Sequence, residues 1–239
     1  MIMEEFFSRS EALLGAEGLD RLRNVRVIIF GVGGVGSWCA EALIRTGLTH
    51  LTIVDGDTVQ PSNVNRQLPA TRETLGRPKV EALRERLLSI NPDAEIVAVH
   101  QYLTPALSQG KGETSESSDF RFEEYDYVID AIDDVPAKAD LIINATRARG
   151  VKVLSSMGAA LRLDPTKVTT GELMSIQGDA LAKAVRARMK KIGLHPYRKV
   201  KCVYSTEQPQ SCATRGSLMQ VTAVFGCTLA SMVIKDLRK

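Results

Sequence analysis

The stretch Val25–Gly36, VRVIIFGVGGVG, decides the fold. Val25, Val27, Ile28, Ile29 and Phe30 form a short apolar run without alternation, the pattern of a parallel strand covered on both faces. The run stops at glycine, with Gly31, Gly33 and Gly36 in the spacing GxGxxG and Gly34 between them. SWCAEALIRTG follows and predicts a helix ending at Gly47. In that setting glycines permit a tight turn and close backbone approach, and the helix N-terminus presents unpaired N–H groups to a phosphate. The next strand, LTIVDGD, ends at Asp55, where an acid meets a ribose hydroxyl, and Asp57 follows two residues on. Strand, glycine turn, helix and acidic strand end together predict nucleotide binding.

Outward from this unit the chain alternates strand and helix. A lead-in helix is expected over Phe6–Leu19, with Phe6, Phe7, Leu13 and Leu14 available for packing. Val80, Leu83, Leu87 and Ile90 recur at helical spacing over 78–90, and Asn91-Pro92 ends that run. Strands are expected at 94–100, near Asp130 and at 151–154, and a helix from Pro136 to Gly150. The Ser-, Gly- and Glu-rich segment 108–119 reads as a mobile surface loop. The alternation predicts an α/β, Rossmann-like, doubly wound and mostly parallel sheet with a C-terminal basic extension, and ligands outside the carboxyl ends of the strands. The expected organisation is a single domain over 1–239, with a nucleotide-binding core at 1–160 and a basic substrate-binding part and final helix at 161–239.

The charge is divided to match. Residues 1–150 carry 16 Lys and Arg against 23 Asp and Glu, a net −7, whereas residues 151–239 carry 15 against 5, a net +10. In the second part ALAKAVRARMKKIG reads as a helix with Leu181, Val185, Met189 and Ile192 on one face. Lys183, Arg186, Arg188, Lys190 and Lys191 supply its basic side, a candidate contact for RNA. LRLDPTKVTTGEL reads as a hairpin or strand and KCVYSTE as a strand. The run 218–234 has the length and apolarity of a membrane span, but Gln220, Thr222, Gly226, Thr228 and Ser231 favour a buried helix. Cys39, Cys202, Cys212 and Cys227 include no CxxC pair, so no structural zinc is predicted, and their scatter suits reduced thiols in a cytoplasmic protein. The N-terminus lacks the pattern of a secretory signal.

The polar groups beyond Asp55 separate the possible chemistries. Asn63, Asn65, Arg66 and Lys79 suit a triphosphate, Arg66 as a fork onto phosphate oxygens and Lys79 as a point charge. Asp130 and Asp133 stand past another strand end, where a carboxylate holds Mg²⁺ and leaves its other positions to water and phosphate. There is no GxxxxGK[ST] and no kinase signature set. ATP held this way fits attack of a carboxylate on its α-phosphorus, giving an acyl adenylate and pyrophosphate without a protein nucleophile.

GVGGVGSW, the DGD after the second strand, SNVNRQ, GRPK and DAIDD together resemble the ubiquitin-activating-enzyme-like superfamily, which includes the adenylating enzymes of molybdopterin and thiamine synthesis. SSMGAALRLDPTKV, GELMSIQGDALAKAVRARMKK and CVYSTE make the chain most similar to the tRNA threonylcarbamoyladenosine dehydratase branch, from about Gly15 to the C-terminus. That resemblance implies ATP and Mg²⁺, with Gly33 and its neighbours at the phosphates and Asp55 at the ribose. It also implies Asn63, Arg66 and Lys79 around the triphosphate, Asp133 as the Mg²⁺ ligand, and Arg66 at the adenylation transition state. The implied reaction is adenylation of the threonyl carboxylate of t6A at tRNA position 37, followed by ring closure that expels AMP. A homodimer is implied, and a sulfur-transfer partner as in some relatives. The segment after Glu207 is shorter, and the 108–119 insert longer, than in that branch. Two alternatives stay open: adenylation of the C-terminal glycine of a ubiquitin-like sulfur carrier, with Cys202 or Cys212 as acceptor, and an NAD-binding regulator that leaves Arg66, Lys79 and Asp133 without work.

Overall fold

The computed structural model describes residues 5–103 and 120–238. The loop expected at 108–119 lies outside the described residues. A single seven-stranded sheet runs through the structure, formed by β1 (Arg26–Phe30), β2 (His50–Val54), β3 (Glu95–Val99), β4 (Tyr127–Asp130), β5 (Lys152–Ser156), β6 (Val168–Glu172) and β7 (Lys201–Ser205). Their order is β3-β2-β1-β4-β5-β7-β6, parallel throughout except for β6, which runs antiparallel to β7 at the edge. Residues 161–239 thus extend the same sheet by two strands.

Six helices cover the sheet among the described residues: α1 (Ser8–Asn24), α2 (Gly36–Thr46), α3 (Lys79–Ile90), α4 (Val135–Arg147), α5 (Ala180–Lys191) and α6 (Met219–Leu237). Because side chains alternate along a strand, β1 divides its apolar run between two cores. Val27 and Ile29 enter the cluster with Leu43 of α2, Leu83 of α3 and Phe225 of α6, while Ile28 and Phe30 enter the one with Ile142 of α4 and Val185 of α5. All four are fully buried, each contributing roughly 1.5–3 kcal/mol of apolar transfer. The continuous apolar run is therefore the signature of helices on both faces.

The lead-in helix differs from its expected form. It continues to Asn24 and kinks at Gly15, whose φ of 73° breaks the helical register. Phe7, Leu19 and Leu22 are buried, but Phe6 and Leu13 are 53% and 79% exposed and do not pack on the core. In α5 the buried face is Ala182, Val185 and Met189, with Leu181 only half-buried because its side chain lines a cavity. Helix α6 is long and apolar enough to cross a membrane by length and composition. Here Val221, Phe225, Leu229 and Val233 form a buried face on α2 and the sheet, as in a core helix. A Cβ at Gly226 would lie 2.8 Å from the Cys39 backbone nitrogen, so glycine is what lets α6 approach α2. Three polar links fasten this helix at its far end: Tyr127 donates to Asp236 at 2.8 Å, Lys152 Nζ pairs with the same carboxylate at 2.6 Å, and Arg21 Nε donates to the Leu237 carbonyl at 2.7 Å.

Candidate active site

The glycine turn after β1 is positioned by backbone contacts. Gly31 has φ of 85°, its N–H donates to the Val54 carbonyl at 2.8 Å, and a Cβ on it would lie 2.8 Å from the Ala131 carbonyl oxygen. A Cβ on Gly36 would land on the Gly31 carbonyl, so Gly36 serves the packing of α2 beneath the turn and does not line the cavity expected to hold a nucleotide. Gly33 and Gly34 do line it. Above Gly33 the nearest atom to an added Cβ is Gln67 Nε2 at 3.6 Å, so absence of a side chain leaves a cradle at the turn. The loop 63–68 is tied over the turn by Ser37, whose hydroxyl donates to the Gly33 carbonyl at 2.5 Å and accepts from Leu68 N–H at 3.3 Å. Trp38 adds a bond from Nε1 to the Arg66 carbonyl at 3.1 Å.

These elements enclose a cavity of about 480 Å³ outside the carboxyl ends of β1, β2 and β4, within the size of nucleotide sites. Asp55 stands at its edge and accepts from the N–H groups of Val32 at 2.8 Å and Asp57 at 2.9 Å. Burial pushes its carboxyl above the usual range, against the opposing pull of Lys79 and those donors. Asp57 accepts from Lys79 Nζ at 2.6 Å and from the Tyr102 hydroxyl at 2.9 Å. Burial raises its pKa, but these two bonds outweigh that and hold it below the usual carboxylate range. Lys79 is buried at the start of α3, so its ammonium is held at the cavity wall by Asp57. Asn63 is buried at the same wall, with Oδ1 accepting from the Gln60 N–H at 3.0 Å. Arg66 lines the cavity, its Nη1 donating to the Ser62 carbonyl at 2.8 Å and to Asn65 Oδ1 at 3.0 Å.

The two acids past β4 have separate fates. Asp130 is fully buried and bonded to Lys138 Nζ at 2.6 Å and Ser155 Oγ at 2.5 Å, so the expectation that it holds a metal is corrected. Burial pushes its carboxyl upward while Lys138 opposes the shift. Asp133 is exposed and lines the cavity. The N-cap of α4 is Asp134, which accepts from Ala137 N–H at 2.8 Å and leaves Asp133 outside that role. Magnesium sites take one or two carboxylates plus substrate phosphates, and Asp133 fits that donor set.

The structure adds cavity residues that the sequence reading passed over. Tyr102 follows β3, and a Cβ on Gly56 would collide with its ring at 2.5 Å; the carboxyl-end rule applied to β3 would have found it. Gln67 lines the cavity next to Arg66. Arg215 and Ser217 enter from the loop before α6, which Asn65 anchors through a 2.8 Å bond to the Ser217 carbonyl, a juxtaposition no local pattern announces. On α5, Lys183, Lys190 and Lys191 are exposed, whereas Arg186 is half-buried and donates to the Leu173 carbonyl at 2.8 Å. Arg188 is half-buried beside Asp140 and is likewise withdrawn from the basic face. Cys202 is buried with its thiol pushed up to about 12, chiefly by desolvation, so it cannot serve as an accessible acceptor thiolate. Cys212 is exposed.

A doubly wound sheet with a glycine turn, an acidic second strand end and cations around one cavity defines a nucleotide-binding α/β domain. The chain belongs to the ThiF family, whose profile matches residues 7–239. It is 40% identical over 205 residues to a tRNA threonylcarbamoyladenosine dehydratase of Bacillus subtilis, covering 85% of this chain and 75% of that one. It is 34% identical to the Haemophilus influenzae protein of the same name, covering 99% of this chain and 94% of that one. Among solved structures, the Escherichia coli tRNA N6-threonylcarbamoyladenosine dehydratase TcdA in complex with ATP superposes with a TM-score of 0.86 at 33% identity, over 98% of this chain and 94% of that one.

Proposed function

We propose that this protein is an ATP-dependent enzyme that dehydrates N6-threonylcarbamoyladenosine at position 37 of tRNA to its cyclic form. The observation that carries this reading is the meeting of the glycine turn, Arg66, Lys79 and Asp133 at one cavity, in a chain whose near full-length relatives are named for that reaction. ATP supplies the adenylyl group that activates the threonyl carboxylate, with release of pyrophosphate. In this reading Gly33 and Gly34 leave room for phosphates against the start of α2, and Asp55 faces the ribose. Arg66 forks onto the α-phosphate as charge develops there, and Lys79, aimed by Asp57, neutralises the outer phosphates. Asp133 would hold Mg²⁺. The nitrogen that closes the ring is already part of the substrate, so intramolecular attack needs no enzyme nucleophile.

The same reading treats the chain as one adenylating domain, with 1–160 serving the nucleotide and 161–239 the tRNA, acting in the cytoplasm as a homodimer. The exposed Leu218, Met219 and Val224 around the start of α6 are candidates for the dimer contact. A sulfur-transfer partner would find the exposed Cys212 accessible. The test is nucleoside mass analysis of t6A-bearing tRNA incubated with the protein and Mg-ATP, beside an Asp133→Ala control. Loss of one water from t6A that requires ATP and fails in the control is expected. No mass change, with pyrophosphate exchange only when a ubiquitin-like carrier is supplied, would move the substrate to a carrier protein.

A further inference from the structure

A second cleft, of about 380 Å³, opens beside the start of β7, remote from the nucleotide cavity, and His195, Tyr197, Arg198 and Lys199 are among its lining residues. Tyr197 is held in place from both directions. Its N–H donates to Thr146 Oγ1 at 3.1 Å, and the Arg147 guanidinium carbon lies 5.2 Å from its ring centroid. Yet the tyrosine is 62% exposed. A buried structural tyrosine would hide its ring, whereas this one presents a ring backed by a cation, the arrangement on which nucleobases stack.

Basic side chains predominate at this end of the two helices. Lys190, Lys191, Arg198, Lys199, Arg147 and Arg149 are exposed, and Glu172, 3.8 Å from Lys199, is the acid that lines the cleft. The patch is connected to the nucleotide cavity by two helices. Asp134 and Ala137 of the α4 start and Leu181 of the α5 start line that cavity, and both helices, which pack together, end at the patch. Thirteen residues of α4 span ~20 Å. At roughly 3.4 Å per nucleotide along a strand, that distance corresponds to about six nucleotides. Lys183, exposed on the first turn of α5, lies between the two ends.

We infer that the Arg147–Tyr197 pair and the lysines at the end of α5 form a docking surface for the RNA strand of the substrate, ~20 Å from the reacting nucleotide. The inference rests on the tRNA reading for the identity of the RNA. Tyr197 stacks a base and the surrounding Lys and Arg side chains contact phosphates.

The test is binding of an unmodified tRNA transcript, which reads docking without chemistry, to the full-length protein and to Tyr197→Ala, Tyr197→Phe and the triple variant Lys190→Ala, Lys191→Ala, Lys199→Ala. Tyr197→Ala is expected to weaken binding about tenfold and Tyr197→Phe to retain it, as stacking requires. The triple variant is expected to flatten the dependence of log affinity on log salt by about two to three units. ATP affinity and thermal midpoint serve as controls for folding, and the three lysines are exposed enough to be replaced without loss of core contacts. Wild-type affinity and salt slope in both the Tyr197→Ala and triple variants would overturn the inference. A wild-type protein that binds the transcript through this surface but never removes water from t6A tells against the proposed reaction alone.

Discussion

Lys79 Nζ lies 2.6 Å from Asp57 Oδ2, with the lysine buried and the aspartate half-exposed at the mouth of the cavity. Removing the cation leaves Asp57 bonded to the Tyr102 hydroxyl and its negative charge without an ion-pair partner where a triphosphate must enter. Lys79→Ala is expected to lower kcat/KM by a factor of about 10² or more and to reduce stability by ~1–2 kcal/mol, less than a fully buried pair because Asp57 remains half in water. ATP titration and urea unfolding of the variant separate the two effects.

The Asp57 carboxyl is held below its ordinary value, so its pair stabilises the fold above the unfolded carboxylate pKa of about 4. That contribution disappears as pH falls through the lower folded value. Asp57→Asn is therefore expected to unfold with a shallower pH dependence than wild type below about pH 4, and to match its slope at neutral pH. Denaturation midpoints measured from pH 3 to 7 check this.

Asp130, Lys138 and Ser155 form a buried polar cluster at the ends of β4 and β5. Lys138→Met strands a buried carboxyl and is expected to cost about 3–5 kcal/mol, while adding Asp130→Asn recovers a large part of it. Equilibrium unfolding of the single and double variants measures the coupling; equal losses in both would show that the pair is not the source.

Arg215 reaches the cavity from the loop preceding α6. Because it is exposed, Arg215→Ala is expected to leave the thermal midpoint within a degree or so and to lower activity about tenfold through loss of a substrate anion contact. Steady-state kinetics with ATP and tRNA varied in turn would show which substrate it serves.

Cys212 and Cys227 are exposed, whereas Cys39 and Cys202 are buried with thiols pushed upward mainly by desolvation. Burial also pushes the Cys227 thiol up, so alkylation of the native protein at pH 8 is expected to label Cys212 first and Cys227 more slowly, and Cys39 and Cys202 only after unfolding, as peptide mass analysis would reveal.

Local chemistry in the chain was sufficient for the nucleotide-binding unit. A continuous apolar strand, GxGxxG, a helix and Asp55 form a contiguous unit whose geometry is dictated by neighbouring residues, so β1, α2 and β2 formed where periodicity placed them. The antiparallel edge made by β6 and β7 was legible only as a hairpin or strand, because the paired residues lie 29 to 37 positions apart along the chain. The lead-in helix was misjudged at Phe6 and Leu13 because the kink at Gly15 breaks the helical register, so one regular face does not run through the segment.

Side-chain partnership was the level at which sequence reading ended. Asp130 and Asp133 look alike in DAIDD, yet the first points between β4 and β5 into Lys138 and the second into the cavity, a difference set by strand alternation and by where α4 begins. Arg186 and Arg188 belong to the basic run but fold back against Leu173 and Asp140, while Arg147 and Tyr197, fifty residues apart, meet as one platform. By itself the sequence determined the doubly wound fold and the nucleotide turn, since both follow from residues close together along the chain. Which charges are paired and buried, and which face the cavity or water, depends on packing between distant segments, and only the tertiary structure decided it.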